Sequence, residues 1–478
     1  MLTSRREFVL KAGFFPLAGW ASVQALGSRA VAAQENATRT PSHAAAHLIV
    51  QMEASGTLEL DPNGKKVTTA PFRVRGEFDF VQAHRRQGAS IWTAQDFKKA
   101  EAQIQVGRGS TVSRLADPSE ILVHRVDQNG ESLVEHEFLR PSLGLEAEEI
   151  DLVFLPGVNP VVSDWITPAF DRSVGGSWEP EAWSIAAGLA IDAVTQSSLK
   201  CSLRQKTSET ISVAVQGIVQ GVAHSVPTEI TLTGRCIVNP STRELESLVW
   251  DIQEKRALGP ATPGFSARTK IEITRSAPVT WNAEQQAQFE AVIAQGHEAG
   301  GRLVFESKRH GFRLQHGPHW KVIGDQSQAA ILRYVDSGDL IAQAHLTRLE
   351  DLPKGTRLSP QKYREDVAKA IEGTQGQIVD VHESETSRDY HTLRVIVSSE
   401  VSGVPIQWIY YHVSDSLGRR VGWVITMEQD RIDRFGAEDQ VLIEEFELLE
   451  LLPKKPSNTP TVKTAEKNGP KDSATLDK

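Results

Sequence analysis

From residue 45 onward the chain alternates between apolar and polar positions. His47 to Leu60 places an apolar side chain at nearly every second position, Asp61-Pro62-Asn63-Gly64 interrupts, and a second alternating run crosses Phe72 to Phe80. Asn-Gly between two such runs is a strong hairpin signal. Further strands are predicted at 102–106, 121–126 and 132–138, and a short helix at 146–153. After Gly175-Gly176-Ser177-Trp178, the stretch 179–195 predicts a helix with Trp183, Ala186, Ala187 and Ala190 on one face. A meander follows, read from the alternation of Leu199, Cys201 and Leu203, then Ile211, Val213, Val215 and Val219, then Ile230, Leu232, Cys236 and Val238. Leu245, Leu248, Trp250 and Ile252 carry the next strand, and 267–273 closes the set. One buried face per strand is how an antiparallel sheet with a wet side reads.

The second half changes pattern. A helix is predicted at 281–294 after Pro278, and Gly296 with Gly300-Gly301 marks a boundary. Strands at 303–306 and 312–315 precede His316-Gly317-Pro318-His319-Trp320, and 329–334 with 340–345 form a hairpin around Asp336-Ser337-Gly338. Ser359 is placed to cap a helix with Pro360 in its first turn, and Gly373 ends it. Four strands (378–382, 392–398, 405–413, 420–427) and a closing helix at 432–445 complete an α+β order. The chain thus divides into 33–44, a polar spacer; 45–275, a β-rich antiparallel domain; 276–300, a helical linker; 301–452, an α+β domain; and 453–478, a disordered tail rich in Lys, Pro and Thr.

Two resemblances follow from this order. Long curved strands around a helix over 45–275 resemble the half-barrel of LolA-like lipoprotein carriers. That resemblance implies an acyl-binding concave face lined by Val213, Val215, Ile230 and Leu232; the alternative is plain core beneath the helix that starts near Glu179. Phe312, Pro318, Trp320, the Trp408 and Tyr410 strand, the Gly418 turn and Phe435 resemble the PsbP-like fold, whose members are mostly non-enzymatic binding or assembly modules. Fold alone does not fix function.

The chain's start adds an address. Ser4-Arg5-Arg6-Glu7-Phe8 resembles the twin-arginine (Tat) export motif, with an apolar run from Ala12 to Leu26 and a small-residue cleavage site ending at Ala32. Residues 1–32 are therefore expected to be a Tat signal peptide, cut to leave a protein without a transmembrane anchor in the periplasm or outside the cell. The Tat translocase is its expected partner during export. Formal charge is −9 over the whole chain. The signal segment carries +3, so the mature chain is near −12, a poor match for nucleic acid. Two cysteines cannot hold an iron–sulfur cluster, and no C-x-x-C occurs. No cofactor is expected.

Candidate chemistry is sparse. His310, His316 and His319 fall within ten residues, and His316 with His319 form a weak metal pair if the chain turns at Gly317-Pro318. Trp178 and Trp183 suit a lipid or sugar groove, or a hydrophobic anchor. Gly107-Arg108-Gly109-Ser110 reads as a turn, and the pairs Glu148-Glu149 and Glu444-Glu445 read as solvated helix faces. No catalytic constellation is evident. The expected function is an exported non-catalytic binding or envelope-assembly protein, holding an apolar ligand in its β-rich domain and meeting a protein or lipid partner. The alternatives are a structural interaction module without a small ligand, and a hydrolase with an unrecognised site. Cys201 and Cys236 fall on strands one apart, too far for a disulfide. Mass mapping of the unreduced protein should therefore find two free thiols, and a loss of two hydrogens would refute this.

Overall fold

A computed structural model describes residues 45–60, 67–115, 121–129, 133–139, 145–295 and 303–450. The signal residues Arg5, Arg6 and Ala32, the spacer, the turn at Asp61 to Gly64 and the tail lie outside them. In chain order the first strands are β1 (Ala45–Leu60), β2 (Thr68–Gln87), β3 (Ser90–Val106), β4 (Gly109–Arg114), β5 (Leu122–Asn129), β6 (Leu133–Leu139) and β7 (Leu145–Glu146). They continue with β8 (Ser177–Trp178), β9 (Ala193–Ser197), β10 (Lys200–Lys206), β11 (Ile211–Ala223), β12 (Val226–Val238), β13 (Leu245–Arg256) and β14 (Gly264–Val279).

These strands close on themselves. The hydrogen-bonded order runs β12, β13, β14, β1, β2, β3, β5, β6, β9, β11, and β11 returns to β12 along its whole length. The β6–β9 seam is one residue pair wide, Leu133 opposite Ala193. Alternation makes this ring two-sided. Inward positions are apolar: Val50, Met52, Val74, Phe78, Ala102, Ile104, Trp250, Ile252, Ile271 and Ile273 are all buried. Outward positions are charged and paired across strands, as in Arg75–Glu53 at 3.2 Å and Arg114–Glu101 at 2.9 Å, with Lys99–Glu77 and Arg268–Asp251 on the same face.

The space inside the ring is filled by the chain itself. Between β7 and β9 run three short helices, Ala147–Val153, Val162–Ile166 and Ala182–Leu189. Their side chains belong to the same apolar cluster as the inward strand residues. Trp183 to Leu189 is buried at every position, the mark of a helix surrounded on all sides. The indole of Trp165 stacks on that of Trp250 in β13, with ring centroids 5.3 Å apart and planes 12° apart. Gly188 makes room for it: a Cβ there would lie 2.5 Å from the Trp165 ring. The helix predicted to run to Thr195 stops at Leu189 because Ala190 turns left-handed (φ 57°) and the chain re-enters the wall as β9.

The second half holds β15 (Leu303–Ser307), β16 (Phe312–His316), β17 (Trp320–Asp325), β18 (Ala330–Asp336), β19 (Asp339–Arg348), β20 (Gln377–Glu385), β21 (His391–Val401), β22 (Val404–Ser414), β23 (Arg420–Glu428) and β24 (Phe446–Leu448). Seven of them form an antiparallel sheet ordered β17, β18, β19, β23, β22, β21, β20. Helix Pro360–Ala370 covers part of one face, and Ser359 caps it by accepting from the Lys362 amide at 3.2 Å. The predicted closing helix is broken at Gly436 into Ile432–Phe435 and Glu438–Glu444.

The expectation of an α+β fold, a half-barrel followed by a PsbP-like domain, is overturned. Among the described residues strands make up 57% and helices 16%. The first sheet closes because β11 and β12 pair over 13 residues, and the second half is dominated by its antiparallel sheets. Within the expected helical linker, the described residues up to Gln295 are tied to the barrel. β14 runs through to Val279 opposite Ala45, and helix Ala283–Gln295 packs Phe289 and Val292 on Trp92, Ala94, Ile121 and Val123 of the barrel's outer wall. In return β7 pairs in parallel with β15, completing a small sheet of the second half.

Removing the Trp165 ring should cost the native state about 3–5 kcal/mol, the usual loss for a buried tryptophan. Denaturant unfolding of Trp165→Ala checks this, and a midpoint shift too small for about 1 kcal/mol would show that the filling is not part of the core.

Candidate functional site

Val213, Val215, Ile230 and Leu232 point into the ring and are no more than 1% exposed. They meet the internal helices, so their apolar surface is covered by protein. Trp178 and Trp183 are anchors of that filling. The Trp178 indole N–H donates to the Trp165 carbonyl at 2.6 Å, under the Arg172 guanidinium at 5.4 Å. The Trp183 N–H donates to the Glu181 carboxylate. Cys201 and Cys236 are free and buried, with β11 between them: Cys201 lies opposite Val215 and Cys236 opposite Val213. Burial pushes the Cys201 thiol far up and that of Cys236 up to about 12, which suppresses thiolate chemistry at neutral pH.

The histidine group diverges. His310 Nε2 donates to the Gln326 carbonyl at 2.8 Å, His316 Nδ1 to Gly317 at 2.9 Å and His319 Nδ1 to Val335 at 3.0 Å. Among the described residues no group of three or more His, Cys, Asp or Glu is placed to hold a metal ion. Glu149, read from sequence as a solvated position, is 4% exposed.

Polar residues that the sequence reading missed converge at one end of the barrel interior. Along β2 the inward positions Phe78 and Phe80 are followed by Gln82 and His84. Gln82 lies opposite Gln95 of β3, and His84 opposite Thr93. Thr93 in turn lies opposite His124 of β5, so His84, Thr93 and His124 form one cross-strand row. Burial, with the charges of Arg275 and Arg86, pushes His84 down to about 4. Burial alone pushes His124 down to about 3, and its ring meets Phe154 edge-on at 4.8 Å. Both imidazoles are thus neutral at physiological pH.

The internal segment closes over this row. Gln82 Nε2 donates to the Val158 carbonyl at 3.3 Å, and Asn159 Oδ1 accepts from the Val161 amide at 3.0 Å. Arg275 enters where β14 slips its register against β1 between Ala46 and Leu48. Glu244 is its ion-pair partner, 3.9 Å away. Thr93 Oγ1, Asn159 Nδ2 and Arg275 Nε are buried without a hydrogen-bond partner. The Thr93 hydroxyl therefore contacts neither histidine as a nucleophile contacts its base. The set is equipped to hold an acceptor-rich group, not to activate an attacking oxygen.

The opposite end carries a second polar cluster where the two halves meet. Glu254 and Arg256 pair at 2.7 Å with almost no exposure, and Thr228 donates to Glu254 at 2.9 Å. Asp192 accepts from the Ser225 amide at 2.8 Å, holding the β11–β12 turn, where His224 and Ser225 both have positive φ. That turn abuts the β18–β19 turn: a Cβ on Gly338 would lie 2.8 Å from the Ser225 carbonyl. Arg333 also donates to the Pro260 carbonyl across the joint. Burial raises Asp192 to about 6 against the opposing pull of the Ser225 amide, Arg256 and Lys321.

No family model matches the sequence, and no curated protein matches it. Among solved structures the chain is similar to the translocator domain of autotransporter NalP from Neisseria meningitidis, at 8% identity over 81% of this chain and 89% of that one, with a TM-score of 0.14. It is also similar to a BenF-like porin from Pseudomonas fluorescens Pf-5, at 6% over 80% and 98% with a TM-score of 0.11. OprD from Pseudomonas aeruginosa gives 7% over 80% and 92%, also with a TM-score of 0.11. Scores this low carry no correspondence of fold or function. A barrel that spans a membrane turns an apolar band outward, whereas β1 to β3, β13 and β14 turn Glu53, Arg75, Glu101, Asp251 and Lys270 outward. No helix among the described residues is long and apolar enough to cross a membrane.

Asp192 gives the joint a pH dependence. Its folded pKa, about 6, lies above its ordinary value of 3.8, so its contribution to stability is fully present below pH 3.8 and lost as pH rises through 6. Between pH 4 and 7 the wild-type protein should lose about 2 kcal/mol relative to Asp192→Asn. Urea midpoints of the two proteins at several pH values measure this, and parallel profiles would contradict it.

Proposed function

We propose that this is an exported, non-catalytic assembly protein of the bacterial envelope, carried out by the Tat translocase and acting through protein contacts. The observation that supports this reading is the filled barrel. The apolar interior that a lipid carrier keeps for its cargo is occupied here by residues 147–190, fixed by the Trp165–Trp250 stack and by the Trp178 hydrogen bond to Trp165. An acyl chain would have to displace a segment packed into the protein's largest apolar cluster. The charged outer wall suits water on the outside of the ring, as expected of a periplasmic or secreted protein. The joined halves, with β7 lent to the second sheet and two turns abutting, suit a protein that presents one composite surface to a partner.

Native mass spectrometry of the mature protein, isolated from its own envelope by mild extraction, tests the reading. The chain is expected at its bare mass. One equivalent of acyl lipid, released only by organic solvent, would overturn the proposal in favour of lipid carriage.

A further inference from the structure

The polar end of the barrel holds more hydrogen-bonding capacity than its packing uses. Thr93, Asn159 and Arg275 each leave a buried polar atom without a partner, and all three can donate. Unpaired buried donors are costly and uncommon, so three at one place call for an acceptor. They belong together in space. Thr93 shares a row with His84 and His124, His84 feels the charge of Arg275, and Asn159 follows Val158, whose carbonyl is bound by Gln82 beside that row.

We propose that this end of the barrel binds a small carboxylate monoanion, received by the Arg275 guanidinium and by the Thr93 and Asn159 donors. Charge favours one negative charge over two. Arg86 is engaged by Asp164, and Arg275 faces Glu244 at 3.9 Å, so the site offers little more than a single uncompensated cation. A planar carboxylate also matches the guanidinium fork. The groups that face His84 are Arg275 and Arg86, with His124 beyond Thr93. An anion beside Arg275 offsets that charge and draws the His84 titration upward from about 4.

The test uses the full mature chain, titrated with acetate and, in a parallel arm, with inorganic phosphate. Imidazole nitrogen resonances of His84 and His124 report the site, and the thermal midpoint reports binding to the native state. Saturable acetate shifts at both histidines are expected, with His84 titrating at higher pH when acetate is present. Thr93→Val, which keeps the side-chain shape, should weaken acetate by about fivefold, the loss of one hydrogen bond. Arg275→Gln should weaken it by about tenfold or more; if that variant does not fold, Thr93→Val decides alone. Absence of a saturable acetate shift would mean that ordered water satisfies the donors and would overturn the proposal. So would unchanged acetate affinity in Thr93→Val, or saturation by phosphate alone.

Discussion

Everything in the first half of this protein rests on filling a ring of strands with a segment of the same chain. A ring of ten strands needs something inside it, and side chains from the wall alone reach only part of the way in. Here the filling is supplied by residues 147–190, and the contact that locks it is indole on indole, Trp165 against Trp250. The local sequence is shaped to it. Gly188 leaves space for the ring of Trp165, and Gly157 turns with φ +80° where a side chain would press on Ile273 and Leu248. With the middle occupied, polarity is pushed to the two ends: neutral imidazoles and unpaired donors at one, and a buried carboxylate–guanidinium cluster against the second half at the other.

Much of the wall was legible in the sequence. Alternation located β1, β2 and the strands from β10 to β14, because each has one dry and one wet face. The cap at Ser359 and the hairpin at Ser337-Gly338 followed from turn and cap chemistry. Closure was not legible. Whether a meander curls into a half-barrel or a full ring depends on β11 meeting β12 on one edge and β9 and β10 on the other, and no local pattern encodes that. Lacking closure, the inward face looked like a groove in need of a lipid, and the fully buried stretch from Trp183 to Leu189 looked like an ordinary one-sided helix.

The polar end was missed for a different reason. Gln82 and His84 occupy the same inward register as Phe78 and Phe80, so strict alternation continues while the chemistry changes. A run of inward positions that turns from Phe to Gln and His is itself a signal, readable once the register is fixed. Arg275 could not have been found this way, since it enters at a register slip between β14 and β1. The histidines that did draw notice, His316 and His319, were close in sequence only, and each spends its ring nitrogen on a nearby carbonyl.

The pairing of β1 with β14 ties the order of synthesis to the order of assembly. Ala45 to Glu59 must wait for Gly264 to Val279 before its second edge is satisfied. Until then the nascent chain carries a long hairpin of β1 and β2 with an open, alternating edge. The contacts between β1 and β14 span more than 200 residues, so the barrel is a late and cooperative event, slow by topology. A chain interrupted anywhere before Gly264 would leave the ring without its last wall strand and the internal helices without part of their enclosure. The first half therefore folds as one unit whose enclosure is complete only when β14 is present.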